Sequence, residues 1–151
     1  MISIALTLHL LAAVVWVGGM FFAILVLRMA AGELEAQVRV PLWSRVFENF
    51  FPWVWAAVIV LPASGYWMIF EVWGGFAHMP MYLNAMQGIG LIMIAIYLHL
   101  FFAPYRRFRA ALAAGDVPAA GAQLNQIRIL VTLNLCIGLL NIVIGAAGRF
   151  W

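Results

Sequence analysis

The stretch LTLHLLAAVVWVGGMFF, residues 6–22, decides the fold. It is apolar enough to cross a bilayer, and the run that contains it reaches Leu27 before the first charge, Arg28. That length exceeds the apolar region of a cleaved signal peptide and reads as a retained transmembrane helix. Inside it sits His9, an ionisable side chain in a setting where such groups cost free energy and mark function. His9, Ala12, Ala13, Trp16 and Gly19 fall at i, i+3, i+4, i+7 and i+10, one face of a helix. That face offers a nitrogen ligand, one large ring and small residues. It suits a flat bound group or a closely packed second helix.

The rest of the chain extends this reading. The 151 residues are 68% hydrophobic and 9% charged, with a mean hydropathy of +1.08. A soluble domain of this size needs no such apolar excess, whereas a small membrane bundle does. Four apolar segments, approximately 2–29, 47–72, 82–104 and 127–148, predict an all-α, integral-membrane four-helix transmembrane bundle forming one domain over 1–151. All eight basic residues are arginines. In a four-span chain Arg28, Arg39, Arg45, Arg106, Arg107, Arg109 and Arg128 share one side and Arg149 stands alone on the other. The positive-inside rule then predicts both termini and the 73–81 loop outside, in the periplasm, for a multi-pass protein of a bacterial inner membrane. The net charge of +3 therefore reports orientation among membrane lipids, and no nucleic-acid partner is expected. One cysteine, Cys136, excludes an intrachain disulfide.

Three functional readings follow from the polar residues. With a rise of ~1.5 Å per residue, His9 lies on the order of 10 Å below the outer surface and His99 roughly 24 Å below it. Two axial ligands of one haem need similar depth, so these histidines do not pair; His99 reads as hydrogen-bonded near Asn134. Met86 and Gln87 begin the third segment at the depth of His9, and Met86, Gly90, Met93 and Tyr97 share a face. Haem iron is commonly held by His with His or Met. The leading reading is thus a b-type haem protein with an electron-transfer role. In it His9 and Met86 are axial ligands, Trp16, Gln87 and the glycines of the last segment form the pocket, and Arg149 pairs with a propionate. The second reading is copper. His9, His78, Met79, Met81 and Met86 form a soft imidazole and thioether set suited to Cu(I), and the protein would exchange with a periplasmic copper or electron carrier. The third is a structural subunit without a cofactor. Asn134, Gly138, Asn141, Gly145 and Gly148 make a small and polar stripe that suits close packing between helices or in a homodimer. No phosphate loop, paired catalytic carboxylates or CxxC occurs; an enzyme on this frame would be a membrane oxidoreductase.

The stretch LHLLAAVVWVGGMFFAILVLR resembles the opening helix of the copper resistance protein D (CopD) family. FFPWVWAAVIVLPASGYWMIF, FFAPYRRFRAALAAGD and LNQIRILVTLNLCIGLLNIVIGAAGRFW are similar to the later helices of its small members. The resemblance implies copper handling across the inner membrane beside a periplasmic copper carrier. The layout is also similar to the four-helix HemJ family of porphyrinogen oxidases, which would give His9 the role of haem ligand. Gln87 stands where that family carries a functional lysine, and this chain has no lysine. The resemblance to HemJ therefore implies haem binding and not porphyrinogen oxidation.

Overall fold

A computed structural model describes residues 1–150; Trp151 and the side chain of Arg149, with the propionate contact expected of it, lie outside the described residues. The described chain is helical and without strands. Four helices are long and apolar enough to cross a membrane: α1 (Ile2–Ala31), α2 (Ala36–Trp73), α3 (Met81–Ala113) and α4 (Val117–Ala147). The helices pack chiefly as two pairs, α1 with α2 and α3 with α4, and α4 joins the pairs by lighter contacts with α1 and α2. Leu10, Val14, Ile59, Phe102 and Leu140 are exposed. That pattern suits a bundle whose outer surface meets lipid.

The helices run further than the apolar segments, and the reason is packing. Residues 36–46 read as a polar connection but form the first turns of α2, where Val40, Trp43, Ser44 and Phe47 fall at helical spacing and are buried. Pro41, Pro52 and Pro62 all lie inside this one helix, so Pro52 sits mid-helix rather than in a first turn. In α3 the apolar stretch ends near Pro104, yet a π-helical turn at Phe101–Tyr105 carries the backbone past the ring and into Arg106–Ala113. Proline lacks the N–H that a regular turn needs, and a π-turn is one way to absorb its ring. Phe108 and Ala120, both fully buried, hold the extensions of α3 and α4 against the bundle. Turns then remain only where specific residues end a helix. Gly74 closes α2 in the left-handed region (φ 69°), with its N–H on the Phe70 carbonyl. Asp116 caps α4, its carboxylate accepting from Ala119 N at 3.0 Å.

These turns put Leu6 and His9 of α1, Trp73 of α2, Tyr82 of α3 and Ala146 of α4 around one cavity, at what is here called the termini end. At the other end a second cavity is bordered by Arg28, Arg39 and Arg128. Between them lies an aromatic stack. Phe51 lies face to face with Phe47 (centroids 5.1 Å apart) and meets Tyr105 (4.7 Å) and Tyr97 (5.7 Å) edge-on. Trp16 closes the stack against Tyr97 at 6.2 Å.

Candidate metal centre at the termini end

The α3–α4 seam sets the walls of this cavity by a repeat of seven residues on both helices. Asn141 Nδ2 donates to the Met86 carbonyl at 3.3 Å, and Asn134 Nδ2 donates to the Met93 carbonyl at 3.3 Å. Each methionine side chain lies over a glycine of the same stripe. A Cβ added at Gly145 would stand 2.7 Å from Met86 Cε, and one at Gly138 would stand 2.9 Å from Met93 Cε. The small and polar stripe is therefore a packing seam, and the same glycines seat the two thioethers.

His9 approaches from α1 and is held by α2. Its Nδ1 lies 3.1 Å from the Leu61 carbonyl and 3.0 Å from Ser64 Oγ. A carbonyl only accepts, so Nδ1 carries the proton and donates. Ser64 Oγ donates to the Val60 carbonyl at 2.6 Å, which leaves its oxygen able to accept from His9. The tautomer that satisfies all of these contacts leaves Nε2 with its lone pair. An imidazole whose Nδ1–H is anchored to a backbone carbonyl is the form in which histidine binds metals. Gly65 lets the ring lie close on α2, since a Cβ there would stand 3.4 Å from Cε1.

The cavity has a volume of about 470 Å³, and His9, Met68, Met86 and Met93 all line it. Gln87 and Asn141 line it too, and their Oε1 and Oδ1 oxygens are buried without a hydrogen-bond partner. Imidazole nitrogen, thioether sulfur and bare amide oxygen are all electron-pair donors, and among the described residues no charged side chain joins them in the lining. Such a lining suits a soft cation. Among the described residues no three His, Cys, Asp or Glu side chains cluster as a metal site, so any such site depends on the thioethers.

The structure brings His9, Trp16, Met86 and Gln87 together as the sequence places them. His78 and Met81 are exposed and Met79 is buried in the α2–α3 connection; none of the three lines the cavity. His99 corrects its expectation. It is exposed on α3, and the Asn134 amide bonds the Met93 carbonyl instead. Met68, which ends the second apolar segment in the same outer half as His9, also lines the cavity; Ser64 and Leu61 as the histidine's anchors were missed from the sequence. Met93 was findable, seven residues beyond Met86 on one face.

Fold and site define a class: a multi-pass helical membrane protein with a donor-lined cavity between its spans. Within that class the chain belongs to the copper resistance protein D family, CopD, whose family model matches residues 44–147. The match spans most of α2 and all of α3 and α4 and leaves out α1 with His9. No curated protein and no solved structure matches the chain. The family's description ties it to copper; nothing in the match points to haem b or to electron transfer.

Proposed function

We propose that this protein binds Cu(I) as cargo in the cavity at its termini end and serves copper handling across a bacterial inner membrane. The observation that carries this reading is the position of His9. Its Nδ1–H is anchored on α2, and its ring borders the cavity that Met68, Met86 and Met93 also line. Family membership supports copper over haem, and the donor chemistry agrees, because thioethers favour Cu(I) over harder ions. The arginine distribution supports a periplasmic termini end, where a soluble copper carrier would meet the exposed His78 and Met81 at the rim. His9 would supply the strongest donor, and the methionines would let the ion leave as readily as it arrives. Gln87 and Asn141 would offer oxygen to water accompanying the ion.

The test is Cu(I) titration of the purified full-length protein against a chromogenic Cu(I) chelator. One tight site is expected, and His9→Ala weakens it about 100-fold, roughly 2.8 kcal/mol. Binding unchanged in a folded His9→Ala protein would sink the proposal. The visible spectrum of the same sample, oxidised and reduced, separates the haem reading. Sharp reduced α and β bands that vanish in His9→Ala would replace copper with haem b.

A further inference from the structure

The cavity at the arginine end is the larger of the two, about 720 Å³, and its chemistry is the opposite of its neighbour's. It lies where α1, α2 and α4 converge, in the gap left by the light contact between α4 and the α1–α2 pair. Arg28, Arg39 and Arg128 come from these three helices and all border it. No acidic side chain lines it, although Glu33, Glu35, Glu48 and Asp116 are at the same end of the sequence's topology. Arg39 is held in place by Nη1, which donates to the Leu34 carbonyl at 3.1 Å and the Gly32 carbonyl at 3.5 Å. The deep wall is mostly apolar, from Ile24 past Phe47 to Trp16, with the buried amide of Asn134 among it. Along α1 that wall includes the π-helical turn Phe22–Leu27, which contributes Ala23 and Ile24; π-turns are rare and concentrate at functional sites.

From Trp16 to Arg28 the helix rises roughly 18 Å, a little more than half of a hydrocarbon core about 30 Å thick. The cavity thus spans about one leaflet, with its cations at the level where headgroups lie and its apolar wall at the level of the chains. Basic pockets between spans are a recognised way of holding anionic lipid headgroups, and guanidinium forks match phosphate oxygens in pairs. We infer that this cavity is a binding site for one anionic phospholipid, its phosphate held by Arg28, Arg39 and Arg128 and an acyl chain laid along the wall from Ile24 to Trp16. The inference stands independently of the copper reading, because it uses none of the donors around His9 except the shared ring of Trp16.

The experiment is native mass spectrometry of the full-length protein, with thermal melting, titrated with phosphatidylglycerol, phosphatidylcholine or inorganic phosphate. Phosphatidylglycerol is expected to be retained one to one and to raise the melting temperature, while phosphatidylcholine and phosphate do neither. The triple variant R28Q/R39Q/R128Q should lose at least about tenfold in lipid affinity. The triple R45Q/R106Q/R107Q removes the same charge from residues outside the cavity and should lose little. Equal losses in the two triples would overturn the inference in favour of diffuse surface attraction. Stabilisation by phosphate alone would overturn it in favour of a simple anion site. Gly121→Leu keeps every charge and decides the matter if the first triple does not fold. Gly121 borders the cavity and has nothing within 4 Å of an added Cβ, so leucine fits there; about two turns to the arginine side of Arg128 on α4, it fills the headgroup mouth of the cavity. Retention of lipid unchanged in Gly121→Leu would also overturn the inference.

Discussion

The two ends of this bundle use the same helices to opposite chemical effect. At the termini end the lining is, among the described residues, uncharged and rich in lone pairs: imidazole, thioether, amide oxygen. At the arginine end the lining is mostly apolar, with the amides Gln37, Asn125 and Asn134 among it and three guanidinium groups at its border. A cation is welcome at the first and repelled at the second; an anion, the reverse. The layer between them contains Trp16, Tyr97 and Phe51, packed ring on ring and buried, and Trp16 is a wall of both cavities. The difference teaches that a four-helix membrane frame need not be chemically uniform along its axis. The seam repeats, and what repeats upon it can change.

The largest effect tests whether the aromatic layer is scaffold alone. Phe47 stacks on Phe51 and meets Trp43, Tyr105 and Phe108, so Phe47→Ala removes a ring in contact with four others. It should cost about 3–5 kcal/mol of stability, read as a fall in melting temperature in detergent, while the folded fraction keeps its Cu(I) affinity. A parallel fall in affinity would mean that the two ends are coupled through the stack.

The next effect sharpens the claim that glycine seats the sulfur. A Cβ at Gly145 already stands 2.9 Å from Met86 Sδ, so Gly145→Leu must push that side chain into the cavity. Cu(I) affinity should fall about thirtyfold, near 2 kcal/mol, with a smaller loss of stability because methionine is flexible. Lipid retention at the arginine end should not change. An unaltered Cu(I) titration would show that Met86 packs the seam and does not bind the ion.

A smaller effect concerns the anchoring of His9. Ser64→Ala removes one of two acceptors and leaves the Leu61 carbonyl, so the ring keeps its tautomer but loses part of its orientation. A loss of about fivefold in Cu(I) affinity, near 1 kcal/mol, is expected. A loss as large as that of His9→Ala would make the hydroxyl, not the backbone, the group that positions the ring.

How much of this was legible in the sequence follows from which forces leave a local trace. The four spans were legible because each apolar run is long enough to cross a bilayer. Their ends were not, because a hydropathy reading stops at Arg45, Arg106 or Arg128 while the helix continues. Val40, Phe108 and Ala120 bury themselves in those extensions, a tertiary reward that hydropathy does not see. His9 and Met86 fell together because depth along a helix can be counted from the residue number. His99 near Asn134 failed on the same count, since equal depth does not fix which way a helix is turned. Ser64 was invisible as an anchor for a related reason: azimuth around the bundle is set by packing among all four helices.

The smallest effect is the sharpest test of where the two ends divide. Asn134 and Asn141 make the same bond to the carbonyls of Met93 and Met86, and each keeps a buried oxygen without a partner. Asn141 lines the cavity of His9, whereas Asn134 lines that of the arginines. Interhelical hydrogen bonds in a membrane contribute about 0.6 kcal/mol on average, and leucine of similar size also removes the unpaired acceptor. Asn134→Leu should therefore change stability by under about 1 kcal/mol and leave Cu(I) binding as it was. Asn141→Leu should cost as little in stability yet weaken Cu(I) two- to threefold, about half a kcal/mol, because it removes a polar residue from the lining of the proposed site. If Asn134→Leu weakened Cu(I) as much as Asn141→Leu, the oxygen ladder would run through the aromatic layer. The two cavities would then be two halves of one path, and the arginines would be the barrier at its end rather than a separate site.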